Sequence, residues 1–199
     1  MTFPRILCAC LFILIINTAP SFAENAADLK VSEVGAFLNS TELLEPIADE
    51  MKAEGIPTFF EVHAMNMLGT DVPSHLKAVE NIKKDHPEYY QKMSDVILNH
   101  DYQGVHHYAS VEQWAGMADR IMLAFYTSRS DGGGRNFAEM SAKAAPLIKM
   151  SKMNPEASKQ MQGVLDMLES FSKVTDADRQ VVRQFNTQLA LHFSTYPQK

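Results

Sequence analysis

The stretch Ser110-Val-Glu-Gln-Trp-Ala-Gly-Met-Ala-Asp-Arg-Ile-Met-Leu-Ala-Phe-Tyr126 decides the fold class. Its apolar residues Trp114, Met117, Ala118, Ile121 and Phe125 recur at three and four, the period of one face of an α-helix. A strand would alternate at two, and this stretch does not. Ser110 offers a hydroxyl to the free amides of the first turn while Gln113 can reach back, a Ser-x-x-Gln capping box.

The same period governs the rest of the chain, and the β-branched alternating runs that announce strands are missing. Towards the N-terminus, Ser32 starts a short amphipathic piece with Val34, Phe37 and Leu38, which Asn39-Ser40 interrupts. A second piece with Leu43, Leu44, Ile47 and Met51 tolerates Pro46 in its opening turns and stops at Gly55. Phe59-Phe60-Glu61-Val62 fits a helix turn or a brief strand, and the reading favours a helix from Thr58 to Leu68. After Pro73-Ser74 a helix turns Leu76, Val79 and Ile82 inward. Pro87 opens another through Tyr90, Met93, Ile97 and His100, which Tyr102-Gln-Gly104 breaks.

Towards the C-terminus, Ser130-Asp-Gly-Gly-Gly-Arg135 is a flexible joint. A helix from Asn136 follows with Phe137, Met140, Ala144 and Ile148, kinked by Pro146. Asn154-Pro155-Glu156 starts a helix with Met161, Val164, Leu165, Leu168 and Phe171. Thr175-Asp-Ala-Asp178 starts the last, with Val181, Val182, Phe185, Leu189 and Phe193 inward. The sum is an all-α, compact antiparallel bundle of about six to eight helices joined by short loops. No repeat, low-complexity tract or long linker divides it.

The first segment differs in kind. Arg5, the apolar run Ile6 to Ile16, and Asn17-Thr-Ala-Pro-Ser-Phe-Ala23 before Glu24 have the form of a secretory signal with cleavage after Ala23. The run falls well short of the ~20 residues that a spanning helix needs, so no integral membrane anchor is expected. Leu7-Cys8-Ala9-Cys10 resembles the box before a lipid-modified cysteine, but processing there would strand Leu11 to Ile16 on the mature protein. The expected organisation is therefore a signal peptide, residues 1–23, and a single helical domain, residues 24–199, in the periplasm or secreted.

Both cysteines lie in that signal, so the domain has no disulfide, thiol nucleophile or thiolate metal site. The formal charge is −6, with no basic run or stripe, which argues against nucleic acid and anionic membrane surfaces as partners.

The signals that could carry chemistry are few. His100, His106 and His107 stand close together beside Asp101 and after His86, and imidazoles with a carboxylate could hold zinc or copper. Their spacing follows no ligand rule, and the adjacent pair His106-His107 points apart in either helix or strand. His63-Ala-Met65-Asn-Met67 offers soft ligands for copper, but Met51, Met93, Met117, Met140 and Met161 fall on inward faces, where methionine fills core space. The Gly-rich joint before Asn136 could cradle an anion, yet it lacks the strand and the Lys-Ser/Thr of a phosphate loop. No Gly-x-Ser-x-Gly elbow or facing carboxylate pair is present, so the sequence leans away from an enzyme.

The Trp114 helix, with Ala118-Asp119-Arg120-Ile121 followed by an aromatic residue, is similar to a pattern found in small exported all-helical proteins of Gram-negative bacteria. The resemblance covers that helix and the preceding turn, and implies no activity and no catalytic residues. From the residues themselves, Asp119 and Arg120 are either an exposed pair or contacts to neighbouring helices.

The expected function is that of a non-enzymatic exported helical protein binding a small apolar ligand or an envelope protein partner, without a cofactor. Periplasmic zinc or copper binding through His100, His106 and His107 is the alternative. A hydrolase in an unfamiliar arrangement is the third reading.

Overall fold

A computed structural model describes residues 28–61, 74–100, 108–128, 170–171 and 173–194. Among them stand six helices of eight residues or more and no strand. These are α1 (Val31–Ala53), α2 (His75–Asp85), α3 (Pro87–Asn99), α4 (Val111–Ser128), α5 (Asp176–Arg183) and α6 (Asn186–Ser194). The all-α bundle expected from the periodicity is what the chain forms.

The decisive stretch becomes α4, the helix around which the others gather: it packs against α1, α2, α3 and α5. Trp114, Ala115, Ala118, Ile121, Met122 and Phe125 are fully buried along it, and Met117 is half-buried. Burying a large apolar side chain is worth ~1.5–3 kcal/mol, so this one face outweighs any weakness in local propensity. The expected cap forms: Gln113 N–H donates to Ser110 Oγ at 3.1 Å, while Gln113 Oε1 accepts from Ala109 N–H at 2.6 Å, one residue before the serine.

At α1 the expected interruption does not occur. The helix runs unbroken for 23 residues through Asn39, Ser40 and Pro46. Ser40 stays helical because its hydroxyl donates to the Phe37 carbonyl at 2.6 Å and accepts from the Trp114 indole N–H at 2.8 Å, a tertiary bond in a site closed to water. Thr41 bonds back to Leu38 in the same way. Pro46 lies on the exposed side, where a missing amide bond can be answered by solvent. The end of α1 is as expected: Gly55 takes φ +72°, Ile56 N–H reaches the Met51 carbonyl and Gly55 N–H reaches that of Lys52, a Schellman motif.

Two further expectations need correction. Thr58 to Glu61 form a turn closed three residues back, with Glu61 N–H on the Thr58 carbonyl, tighter than the expected α-helical turn. Adjacent Phe59 and Phe60 are both completely buried. The rest of that expected helix lies outside the described residues. The last expected helix is two: the chain bends at Gln184-Phe185, whose amides bond three residues back, and resumes as α6. Val182, Leu189 and Phe193 are buried on either side of this bend.

Helices α2 and α3 meet at the single residue His86, with Pro87 in the first turn of α3. Val79 and Ile82 of α2, and Tyr89, Met93 and Ile97 of α3, join the core. The interior is strongly aromatic, with Phe37, Phe59, Phe60, Trp114, His75 and His192 meeting edge to face or tilted at centroid distances of 4.4 to 6.3 Å. No helix among the described residues is long and apolar enough to cross a membrane.

Candidate functional site

Asp119 and Arg120 prove to be helix contacts, and each belongs to a different clamp. The Asp119 carboxylate meets the N-terminus of α2, where backbone amides have no partner within the helix. It accepts from His75 N–H (2.6 Å), Leu76 N–H (3.3 Å), the Ser74 hydroxyl (2.8 Å) and His75 Nδ1 (2.7 Å). Ser74 caps the same helix through Lys77 N–H.

Serine, histidine and aspartate are thus in mutual reach, but their arrangement is not that of an activated hydroxyl. Nucleophilic catalysis needs the serine on the imidazole nitrogen that the carboxylate leaves open, whereas Ser74 Oγ bonds the carboxylate itself. His75 is also 0% exposed. The trio fastens α2 to α4.

Arg120 turns to the other side. Its Nε and Nη2 bind Asp178 Oδ2 and Oδ1 at 3.1 and 2.8 Å, the bidentate fork of guanidinium and carboxylate. Asp178 is 0% exposed and also accepts from Leu29 N–H at 2.7 Å. One buried carboxylate therefore ties α4, α5 and the segment before α1 together. Thr175 caps α5 through Asp178 N–H and reaches Asp28 Oδ1.

A third cluster sits nearer the surface. Glu112 accepts from Lys83 (2.7 Å) and Tyr90 (2.8 Å). Desolvation opposes its ionisation, but the hydrogen bonds from Lys83 and Tyr90 prevail and bring its carboxyl down to about 2. His192 shows the opposite balance for a base: burial, and then the nearby His75, hold it down to about 4. Phe37 and Phe60 meet its ring edge to face.

These clusters are internal fastenings. Among the described residues, a half-open groove of about 500 Å³ lies between the turn after α1 and the outer face of α2. Ile56, Pro57, Ala78 and Ile82 give it apolar surface, and Glu61, Asn81, Asp85 and His86 give it polar edges. Thr58 also lines it, only 4% exposed, and its hydroxyl has no hydrogen-bond partner. A buried hydroxyl without a partner costs roughly 1–3 kcal/mol, which sets it apart from the satisfied polar groups of the core.

The sequence did not single out this groove. Ala78, Asn81, Ile82 and Asp85 lie at helical spacing on one stripe of α2, and that mixed stripe was the signal available. What it lacked was the turn at Thr58, read as helix, which supplies the opposite wall.

Of the expected metal ligands, His100 is exposed at the C-terminal end of α3. His106 and His107 lie outside the described residues, as do His63, Met65, Met67 and the Gly-rich joint at 130–135. Among the described residues no three His, Cys, Asp or Glu side chains gather closely enough to hold a metal ion. Comparison with protein-family models, curated proteins and solved structures yields no match to this chain.

Proposed function

We propose that the chain is an exported, non-enzymatic helical binding protein that takes a small amphipathic molecule in the groove between the Ile56–Glu61 turn and α2. The observation that carries this reading is the groove itself. Its volume of about 500 Å³ falls within the ~300–1,000 Å³ typical of small-molecule sites. It also has their composition, an apolar lining with a few polar groups at the edge. Its walls are firmly held, since Phe59 and Phe60 anchor the turn in the core and the Asp119 clamp fixes the start of α2. A preformed site avoids part of the ordering cost of binding.

The test uses a neutral solvatochromic dye, Nile red, with the protein lacking residues 1–23. A single saturable site with blue-shifted emission is expected. Asn81→Trp, at an exposed position on the groove wall, should abolish it while far-UV circular dichroism and thermal midpoint stay unchanged. No saturable dye binding, or dye binding indifferent to Asn81→Trp, would remove this reading.

A further inference from the structure

Resting on that reading, the geometry points to a cationic amphiphile as the groove's ligand: a primary ammonium on a short apolar body, steered by Glu61 and Asp85 and seated against Ile56 and Ile82. The argument begins with charge. Glu61 comes from the turn and Asp85 from the last turn of α2, so carboxylates belong to both walls of the groove. Both are solvent-exposed, and the ion pair at Asp85 is a loose one: Lys84 Nζ stands 3.7 Å away on a side chain that is 81% exposed. Among the described residues no lysine or arginine lines the groove. An anionic headgroup would therefore meet two like charges, on a chain whose formal charge is already −6.

The apolar part of the ligand follows from the lining. Ile56, Pro57 and Ile82 offer a hydrocarbon surface for a short chain or ring. Thr58 supplies the second, independent sign of a ligand, because its buried hydroxyl on this wall lacks a partner. That hydroxyl is closed to solvent, so a ligand reaches it only if the Thr58 side chain turns about χ1 towards the groove; an ammonium or hydroxyl there then satisfies it, whereas an alkane does not. A metal cation is a poorer fit, since the groove's surface is largely hydrocarbon and hard cations need six or more oxygen ligands.

The experiment displaces Nile red from the protein with three probes of one length: hexylammonium, hexanol and hexanoate. Hexylammonium should bind about tenfold more tightly than hexanol, as two exposed carboxylates each contributing a few-fold would give, and hexanoate more weakly than either. Its advantage over hexanol should shrink in high salt and vanish in Glu61→Gln/Asp85→Asn. Thr58→Val should weaken hexylammonium and hexanol alike. Equal binding of hexylammonium and hexanol, or an ammonium preference that survives the double variant, would overturn the cationic assignment and leave the groove reading standing. Failure of all three probes to displace bound dye would likewise overturn the cationic assignment.

Discussion

Removing the Asp178 carboxylate should unfasten three parts of the bundle at once, and the two partners of the ion pair should not cost the same. Asp178 is wholly buried and accepts two bonds from Arg120 and one from Leu29 N–H. Breaking a buried pair from one side costs ~3–5 kcal/mol, mainly because the remaining charge is stranded. In Asp178→Ala the stranded group is Arg120, which is 24% exposed and can regain some water, so the loss should be near the lower limit, about 3 kcal/mol. In Arg120→Ala the stranded group is the buried carboxylate with one amide left, and the loss should be nearer about 4 kcal/mol. The double variant strands no charge, only the Leu29 N–H, so it should lose no more than Arg120→Ala alone, about 4 kcal/mol, leaving a coupling of about 3 kcal/mol between the sites. Urea unfolding followed by far-UV circular dichroism measures all three. Additivity within about 0.5 kcal/mol, or a cost below about 1 kcal/mol for either single variant, would refute the clamp.

Three other outcomes follow from the same contacts. Asp119→Asn turns an acceptor of four donors into a group that donates on one side, and should cost about 2–4 kcal/mol in the same unfolding assay. Ser40→Ala leaves the fully buried Trp114 indole N–H without its acceptor and should cost about 1–3 kcal/mol, with a shift in tryptophan emission. Acid should destabilise the fold through His192. Because its folded value is lowered from 6.5 to about 4, the unfolded chain takes up the proton first, so its contribution is complete above pH 6.5 and is lost as pH falls towards 4. That amounts to at most about 3 kcal/mol, and His192→Phe should flatten this limb of a stability-versus-pH curve.

The helices that carry a three-to-four apolar stripe were legible in the sequence, α4 above all, because burial of Trp114, Ile121 and Phe125 reinforces what the local pattern already favours. The failures share a cause. Asn39-Ser40 reads as a break until the Trp114 indole arrives from 74 residues away to bond Ser40. Phe59-Phe60 reads as a helix turn until both rings are required in one interior. Long-range contacts decide these positions, and a local period does not record them.

The candidate site was hidden for the same reason. Asp85 and Asn81 look like ordinary solvated residues of an amphipathic helix, and only the turn at Thr58, placed by its phenylalanines, makes a groove of them. Asp119 and Arg120 were visible as polar intrusions in an apolar stretch. Their division between α2 and α5 could be learned only from the packing.

The most direct test of the binding claim is a two-dimensional nitrogen–proton NMR titration of the protein lacking residues 1–23 with hexylammonium. Saturable shifts should concentrate on the amides of Ile56, Thr58, Ala78, Ile82 and Asp85, with α5 and α6 unmoved. Shifts centred elsewhere in the bundle, or none that saturate, would contradict the groove as the place where this protein meets its ligand.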